Sequence, residues 1–235
     1  MVPIFVINTL AGRIERVNEI RMVHGIRTWD GGLKSFSDLK NELSFKVDRS
    51  NIHVVDYGYI LFPITNERAT SAIINSISEV TEEDQLIIIG YSNGSWGAVQ
   101  VAEMGYPVDH LVLINPALHC DYEFPEQIKR IDVYYSSDDF VVSIGKMLMN
   151  VFSLVFGRWW NVPKWGEMGK IGYKGNDSRI HNHDMGDVNH FFYDHKAVAL
   201  SIAADMDLFY ENIYENQSHP RRNQDWQQRT SQCAS

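Results

Sequence analysis

The stretch Gln85–Gly94, QLIIIGYSNG, constrains this 235-residue chain more than any other. Leu86 to Ile89 are apolar at consecutive positions and three of the four are β-branched, the pattern of a strand buried on both faces. Gly90-Tyr91-Ser92-Asn93-Gly94 then turns sharply. Small residues (Ser95, Gly97, Ala98) lead on into an apolar helical run through Val99, Val101 and Ala102. A central strand feeding straight into a helix belongs to a layered α/β architecture, and the rest of the chain repeats that alternation. Strand-like runs occur at Pro3–Asn8, Arg13–Val17 (after a turn at Gly12), Ile20–His24, Asn51–Tyr57, His110–Asn115, Ile131–Tyr135 and Arg179–Met185. Helical runs occur at Leu33–Leu43 and Ala197–Tyr210. Another is capped by Thr65 or Asn66, with Ala69, Ala72, Ile73, Ile74 and Ile77 on one face. The expected fold is α/β, a mostly parallel central sheet with helices on both faces. No internal repeat interrupts it.

Length and the 44% apolar content fit one domain over residues 1–215, with a large buried core. Residues 216–235 are polar and are expected to be a disordered tail. The net charge of −9 argues against nucleic acid and anionic membranes as partners. Two cysteines, Cys120 and Cys233, make no disulfide framework and point to a reducing compartment. Met1 to Leu10 lacks a basic region and a cleavage site, so it reads as a strand rather than a signal peptide, and a cytoplasmic protein is expected.

Gly90 to Gly94 also carries chemistry. A G-x-S-x-G match alone arises by chance about once in twelve chains of this length. Its setting between a buried strand and a helix supplies the weight. A serine at the tip of such a turn sits in strained backbone with its Oγ above the sheet, and crowding there requires flanking residues without a Cβ. The helix N-terminus adds positive potential where an oxyanion would form.

This strand–turn–helix resembles the nucleophile elbow of the α/β-hydrolase superfamily, and the order of elements over roughly residues 3–212 is similar too. The resemblance implies a Ser-acid-His order along the chain, with Ser92 as nucleophile. His190, in the loop Gly186-Asp187-Val188-Asn189-His190 after the last strand, matches the family's histidine; His195 is the second candidate. The turn after Ile131–Tyr135, SSDDFVV, resembles the family's G-x-x-D-x-x-V with Ser136 in place of Gly. That alignment makes Asp139 the acid, with Asp138 its neighbour and alternative. Met22-Val23-His24-Gly25-Ile26 resembles the strand and His-Gly of the oxyanion loop. It implies the N–H groups of Asn93 and Ile26 as donors, with His24 bracing the loop.

Gly25, Tyr91, Met149 and Trp160 are the candidate substrate-binding residues. About fifteen residues separate the strands on either side of 116–130, too few for a large lid. The apolar segment Phe140–Trp165 is too short and too interrupted to cross a membrane. It suits a covering helix, an apolar wall for an acyl chain, or an interfacial contact. His181 and His183 share a strand face but have no third ligand, so no metal is expected. No dinucleotide or phosphate-loop motif implies a cofactor. The expected activity is serine hydrolysis of a small-molecule carboxylic ester or thioester through an acyl-enzyme. Amide cleavage, acyl transfer, or a non-catalytic binding role on the same scaffold remain open.

Overall fold

The structure is a computed structural model and describes residues 17–26, 28–59, 67–81, 84–141 and 166–214. Among these, six strands form one sheet: β1 (Asn18–Val23), β2 (Ile52–Val55), β3 (Gln85–Tyr91), β4 (His110–Ile114), β5 (Arg130–Tyr135) and β6 (Ile180–Asp184). Their order is β2-β1-β3-β4-β5-β6 and every pairing is parallel. Five helices are described: α1 (Ser37–Leu43), α2 (Glu67–Ser76), α3 (Gly94–Glu103), the single turn α4 (Met168–Ile171) and α5 (Lys196–Tyr214).

The two faces of the sheet bury separate cores. Leu86 and Ile88 of β3 pack with Leu111, Leu113, Ile131 and Val133 against Ala69 and Ile73 of α2 and Ala98, Val99 and Ala102 of α3. Ile87, Ile89 and Tyr91 point the other way. They pack with Val112, Ile114 and Tyr134 against Leu39 and Leu43 of α1 and Ala199, Ile202 and Ala203 of α5. This alternation is why β3 carries an unbroken apolar run: a strand between two helical layers has no solvent face. The sheet is therefore parallel and covered by helices on both faces. The β4–β5 connection, residues 115–129, contains no helix and hence no lid.

Some expected elements shift. The strand at Ile20–His24 starts two residues earlier, at Asn18, and ends at Val23. The helix expected from Leu33 begins only at Ser37. Gly31 and Gly32 both adopt left-handed backbone (φ 63° and 86°), and a series of turns follows them as far as Phe36. Asn51 belongs to a 3₁₀ turn, Arg49–Asn51, capped by the Asp48 side chain on the Ser50 N–H, so β2 is shorter than Asn51–Tyr57. Pro3–Asn8, the Gly12 turn, residues 13–16 of the strand expected after it, the cap at Thr65 or Asn66, and the tail 216–235 lie outside the described residues. So does most of the apolar segment: only Phe140 and Val141 of it are described. No described helix is long and apolar enough to cross a membrane.

Strand order places the site. From β1 the chain goes outward to β2 and then returns to β3 on the other side. The helices that follow β1 and β3 therefore lie on opposite faces of the sheet, and the direction of the chain switches between these two strands. Such a switch point is where open parallel sheets bind ligands.

Candidate active site

Ser92 stands at that switch point, directly after β3. It has φ 53°, left-handed backbone that a serine adopts only where its surroundings enforce it. The enforcement comes from both sides. The Ser92 N–H donates to the Ile114 carbonyl of β4 at 2.9 Å, and its own carbonyl accepts from Ser95 at 3.2 Å. The glycines are needed as expected. A Cβ on Gly90 would lie 2.7 Å from Ser95 Cα. One on Gly94 would lie 2.4 Å from both the Val23 and His24 carbonyl oxygens. The Gly90–Gly94 turn is thus wedged against the end of β1. Asn93, in helical backbone, stands at the N-terminus of α3, and its carbonyl accepts from the Trp96 N–H at 3.1 Å.

Asp139 and His190 meet Ser92 from two further loops. His190 Nε2 is 3.0 Å from Ser92 Oγ, and His190 Nδ1 is 2.8 Å from Asp139 Oδ2. A carboxylate can only accept, so Nδ1 carries the proton and Nε2 is left to accept from the serine hydroxyl. All three residues are buried: Ser92 is 3% exposed, His190 5% and Asp139 0%. Asp138 is exposed and its N–H is held by Ser136 Oγ. The choice between the two aspartates is therefore one of side-chain direction at the turn. His195 is one turn further on, at the end of a 3₁₀ segment, Phe192–Asp194.

The loop after β1 lies directly over the serine. A Cβ on Gly25 would be 3.0 Å from Ser92 Cβ and 3.5 Å from Ser92 Oγ, so the bare backbone there leaves room beside the hydroxyl. The Gly25 carbonyl is gripped by His24 Nδ1 at 2.7 Å and Thr28 Oγ1 at 3.1 Å. Because the peptide is planar and trans, fixing that carbonyl also fixes the opposite direction of the Ile26 N–H. His24 is well suited to this bracing. Burial lowers its pKa, though the Gly25 carbonyl and Asp56 oppose the shift, so it stays neutral and donates. Its ring stacks on Tyr57 with centroids 4.0 Å apart, and the Tyr57 hydroxyl donates to the His24 carbonyl at 2.6 Å. The Ile26 side chain packs with Ala117 and Trp96.

Tyr91 is almost fully buried. Its ring is buried among Phe36, Phe192 and Tyr193, and its hydroxyl donates to the His190 carbonyl at 3.0 Å. Met149 and Trp160 lie outside the described residues. His181 is exposed, whereas His183 turns to Asp132 at 2.7 Å. No group of three such side chains placed to hold a metal ion occurs among the described residues.

Three supporting contacts went unanticipated. Tyr91 holds the backbone of the histidine loop. Ser136 Oγ, where a glycine was the pattern, donates to the Gly186 carbonyl at 2.7 Å and ties the loop of Asp139 to the loop of His190. Asn115 Nδ2 donates to Asp139 Oδ2 at 2.8 Å. Only Asn115 left a usable trace in the sequence: a polar residue ending an apolar strand just before a proline.

No family model matches the sequence, and no curated protein matches it. Solved structures do. One from Agrobacterium tumefaciens, a protein of unknown function and candidate α/β hydrolase, superposes with a TM-score of 0.51 at 14% identity, covering 88% of this chain and 91% of that one. A Xanthomonas campestris α/β serine hydrolase described as lacking a lid gives 0.48 at 12% identity, covering 88% and 87%. A fluorophosphonate-binding serine hydrolase of Staphylococcus aureus gives 0.45 at 12% identity, covering 84% and 86%. The chain has the α/β-hydrolase fold.

Proposed function

We propose that this protein is a serine hydrolase that cleaves a small-molecule carboxylic ester or thioester, with Ser92, His190 and Asp139 as its catalytic residues. The observation that carries the reading is the unbroken path from Ser92 Oγ through the imidazole of His190 to Asp139 Oδ2, at 3.0 and 2.8 Å. Three residues spread over 98 positions of sequence converge at the carboxyl ends of β3, β5 and β6. Burial of the dyad favours a tight, oriented hydrogen bond over exchange with water.

His190 takes the hydroxyl proton as Ser92 Oγ attacks the carbonyl carbon. The N–H groups of Asn93 and Ile26 receive the negative oxygen, and the N-terminus of α3 adds to the field there. The carbon–oxygen or carbon–sulfur bond then breaks, and the leaving alcohol or thiol departs with the proton from His190. Water, deprotonated by the same nitrogen, attacks the acyl-enzyme. The acid leaves and Ser92 regains its proton. Asp139 holds Nδ1–H throughout and offsets the charge of the imidazolium.

Exposed Phe140 and Phe191 follow Asp139 and His190 directly in sequence and favour an apolar acyl group near the triad. Together with Met149 and Trp160 they are the candidate acyl contacts. The test is hydrolysis of p-nitrophenyl esters of increasing chain length, with fluorophosphonate labelling, for wild type, Ser92→Ala and His190→Ala. The expected result is labelling and turnover in wild type, both lost in Ser92→Ala, and turnover reduced at least about a thousandfold in folded His190→Ala. A folded wild type that neither turns over nor labels would leave a binding role on this scaffold.

A further inference from the structure

We propose that Asn115 is a positioning residue for the triad acid, its amide holding the carboxylate oxygen of Asp139 that His190 also uses. This rests on the catalytic reading of Ser92, His190 and Asp139. Asn115 follows β4 directly, at the carboxyl edge of the sheet and between the strands that lead to Ser92 and Asp139. It is wholly buried. Its Nδ2 lies 2.8 Å from Asp139 Oδ2, the same oxygen that accepts His190 Nδ1 at 2.8 Å. Two donors on one oxygen fix the carboxylate along two directions, whereas the imidazole alone would fix it along one.

Two features of Asn115 are costly for a residue that only packs. Its φ is 44°, which asparagine tolerates better than most residues but which still favours glycine. Its Oδ1 is buried without a hydrogen-bond partner. A buried orphan oxygen beside a satisfied Nδ2 means the side chain is oriented for its donor. The left-handed backbone is what turns that donor toward Asp139. It is clamped there: the Asn115 N–H donates to the Tyr134 carbonyl at 2.8 Å, and Gly169 packs so closely that a Cβ on it would lie 2.6 Å from the Asn115 carbonyl carbon. The arrangement also connects the acid loop, because Ser136 N donates to the Gly169 carbonyl at 2.9 Å. Asp139 is thus framed by Asn115 on the β4 side and His190 on the β6 side.

Asn115→Gly and Asn115→Asp separate the amide from the backbone. Glycine accepts the positive φ without strain and removes the donor. Aspartate keeps the shape and donates only while protonated. The expected result for Asn115→Gly is kcat lowered about tenfold at unchanged KM, the cost of a lost hydrogen bond to a charged group. For Asn115→Asp, two carboxyl groups share one proton, which is held above the usual carboxylate range and lost as pH rises. Activity relative to wild type is therefore near one at low pH and falls steadily toward alkaline pH. A packing role alone would not produce that profile. The imidazole resonances of His190, followed by NMR in the folded full chain, give a readout without turnover: the downfield Nδ1–H signal moves in both variants. Wild-type kcat in Asn115→Gly together with a pH-independent ratio for Asn115→Asp would overturn the proposal. If wild type proves inactive and unlabelled, the hydrolase reading fails by itself. An unmoved His190 signal in both variants would then refute the Asn115 contact separately.

Discussion

Gly94→Ala tests the steric basis of the turn that carries Ser92. The added methyl would sit 2.4 Å from the carbonyl oxygens of both Val23 and His24, where ordinary contact begins near 3.4 Å. Relief therefore requires about 1 Å of separation between the start of α3 and the end of β1. Neither side yields cheaply. Val23 is the last paired residue of β1, in register with Val55 on one side and Gly90 on the other. The His24 carbonyl already accepts from Tyr57. Overpacking against backbone costs about 3 kcal/mol, and the better helix propensity of alanine returns up to about 1 kcal/mol. The net loss of about 2 kcal/mol lowers Tm by about 4–8 °C for a chain of this size. The same movement carries Gly25 and Ile26 away from Ser92, so ester turnover should fall by about a hundredfold. Gly97→Ala is the comparison. Its methyl would meet Cβ of the buried Ala69 on α2 at 2.9 Å, a shallower overlap with side-chain rather than backbone atoms, so α2 must shift by a smaller amount and a smaller loss, about 1 kcal/mol, is expected. Thermal unfolding and p-nitrophenyl ester assays on both variants decide the matter. A Gly94→Ala protein as stable and as active as Gly97→Ala would refute the reasoning.

Tyr91→Phe removes the hydroxyl from the His190 carbonyl and should lower stability by about 1 kcal/mol and kcat by up to about fivefold, with KM unchanged. A raised KM with unaltered kcat would mean that Tyr91 meets substrate after all. Stability should decline as pH falls below about 6.5. Burial lowers the pKa of both His24 and His110, so in this window the unfolded chain takes up protons that the folded chain refuses. A second decline should begin near pH 4. Burial would raise the Asp132 carboxyl, but hydrogen bonds from His110, His183 and Arg130 outweigh it and hold the carboxyl far below the usual range, so the folded state keeps its charge where unfolded aspartate is protonated. Urea midpoints between pH 7.5 and 3.5 measure both steps, and a flat profile from 7.5 to 5 would contradict the first.

The elements nearest the site were the most legible. β3 and α3 announce themselves because one carries an unbroken apolar run, Leu86 to Ile89, and the other has Gly94, Ser95, Gly97 and Ala98 near its start, small enough for close packing. His190 and Asp139 were reachable through chain order: each lies just after a strand, where a parallel sheet must present its loops. The limits of α1 were not legible, since two left-handed glycines delay the helix and their conformation is set by what surrounds them: a Cβ on Gly32 would meet the His24 side chain at 2.7 Å. The surroundings of Tyr91 follow from the strand: the period of two along β3 places its ring in the core with Ile87 and Ile89.

Local sequence thus determined which of the described segments are strands, which strand is central, and that Ser92 sits on a turn whose flanking glycines have no room for a Cβ. These follow from residue size and periodicity, which act over a few positions. Tertiary structure alone decided that Asp139 rather than Asp138 faces His190, that Ser136 bridges to Gly186, and that Asn115 reaches Asp139. Each of those depends on the distance between side chains on separate loops. That distance is set by how adjacent parallel strands align, a property of the assembled sheet and of no single stretch of sequence.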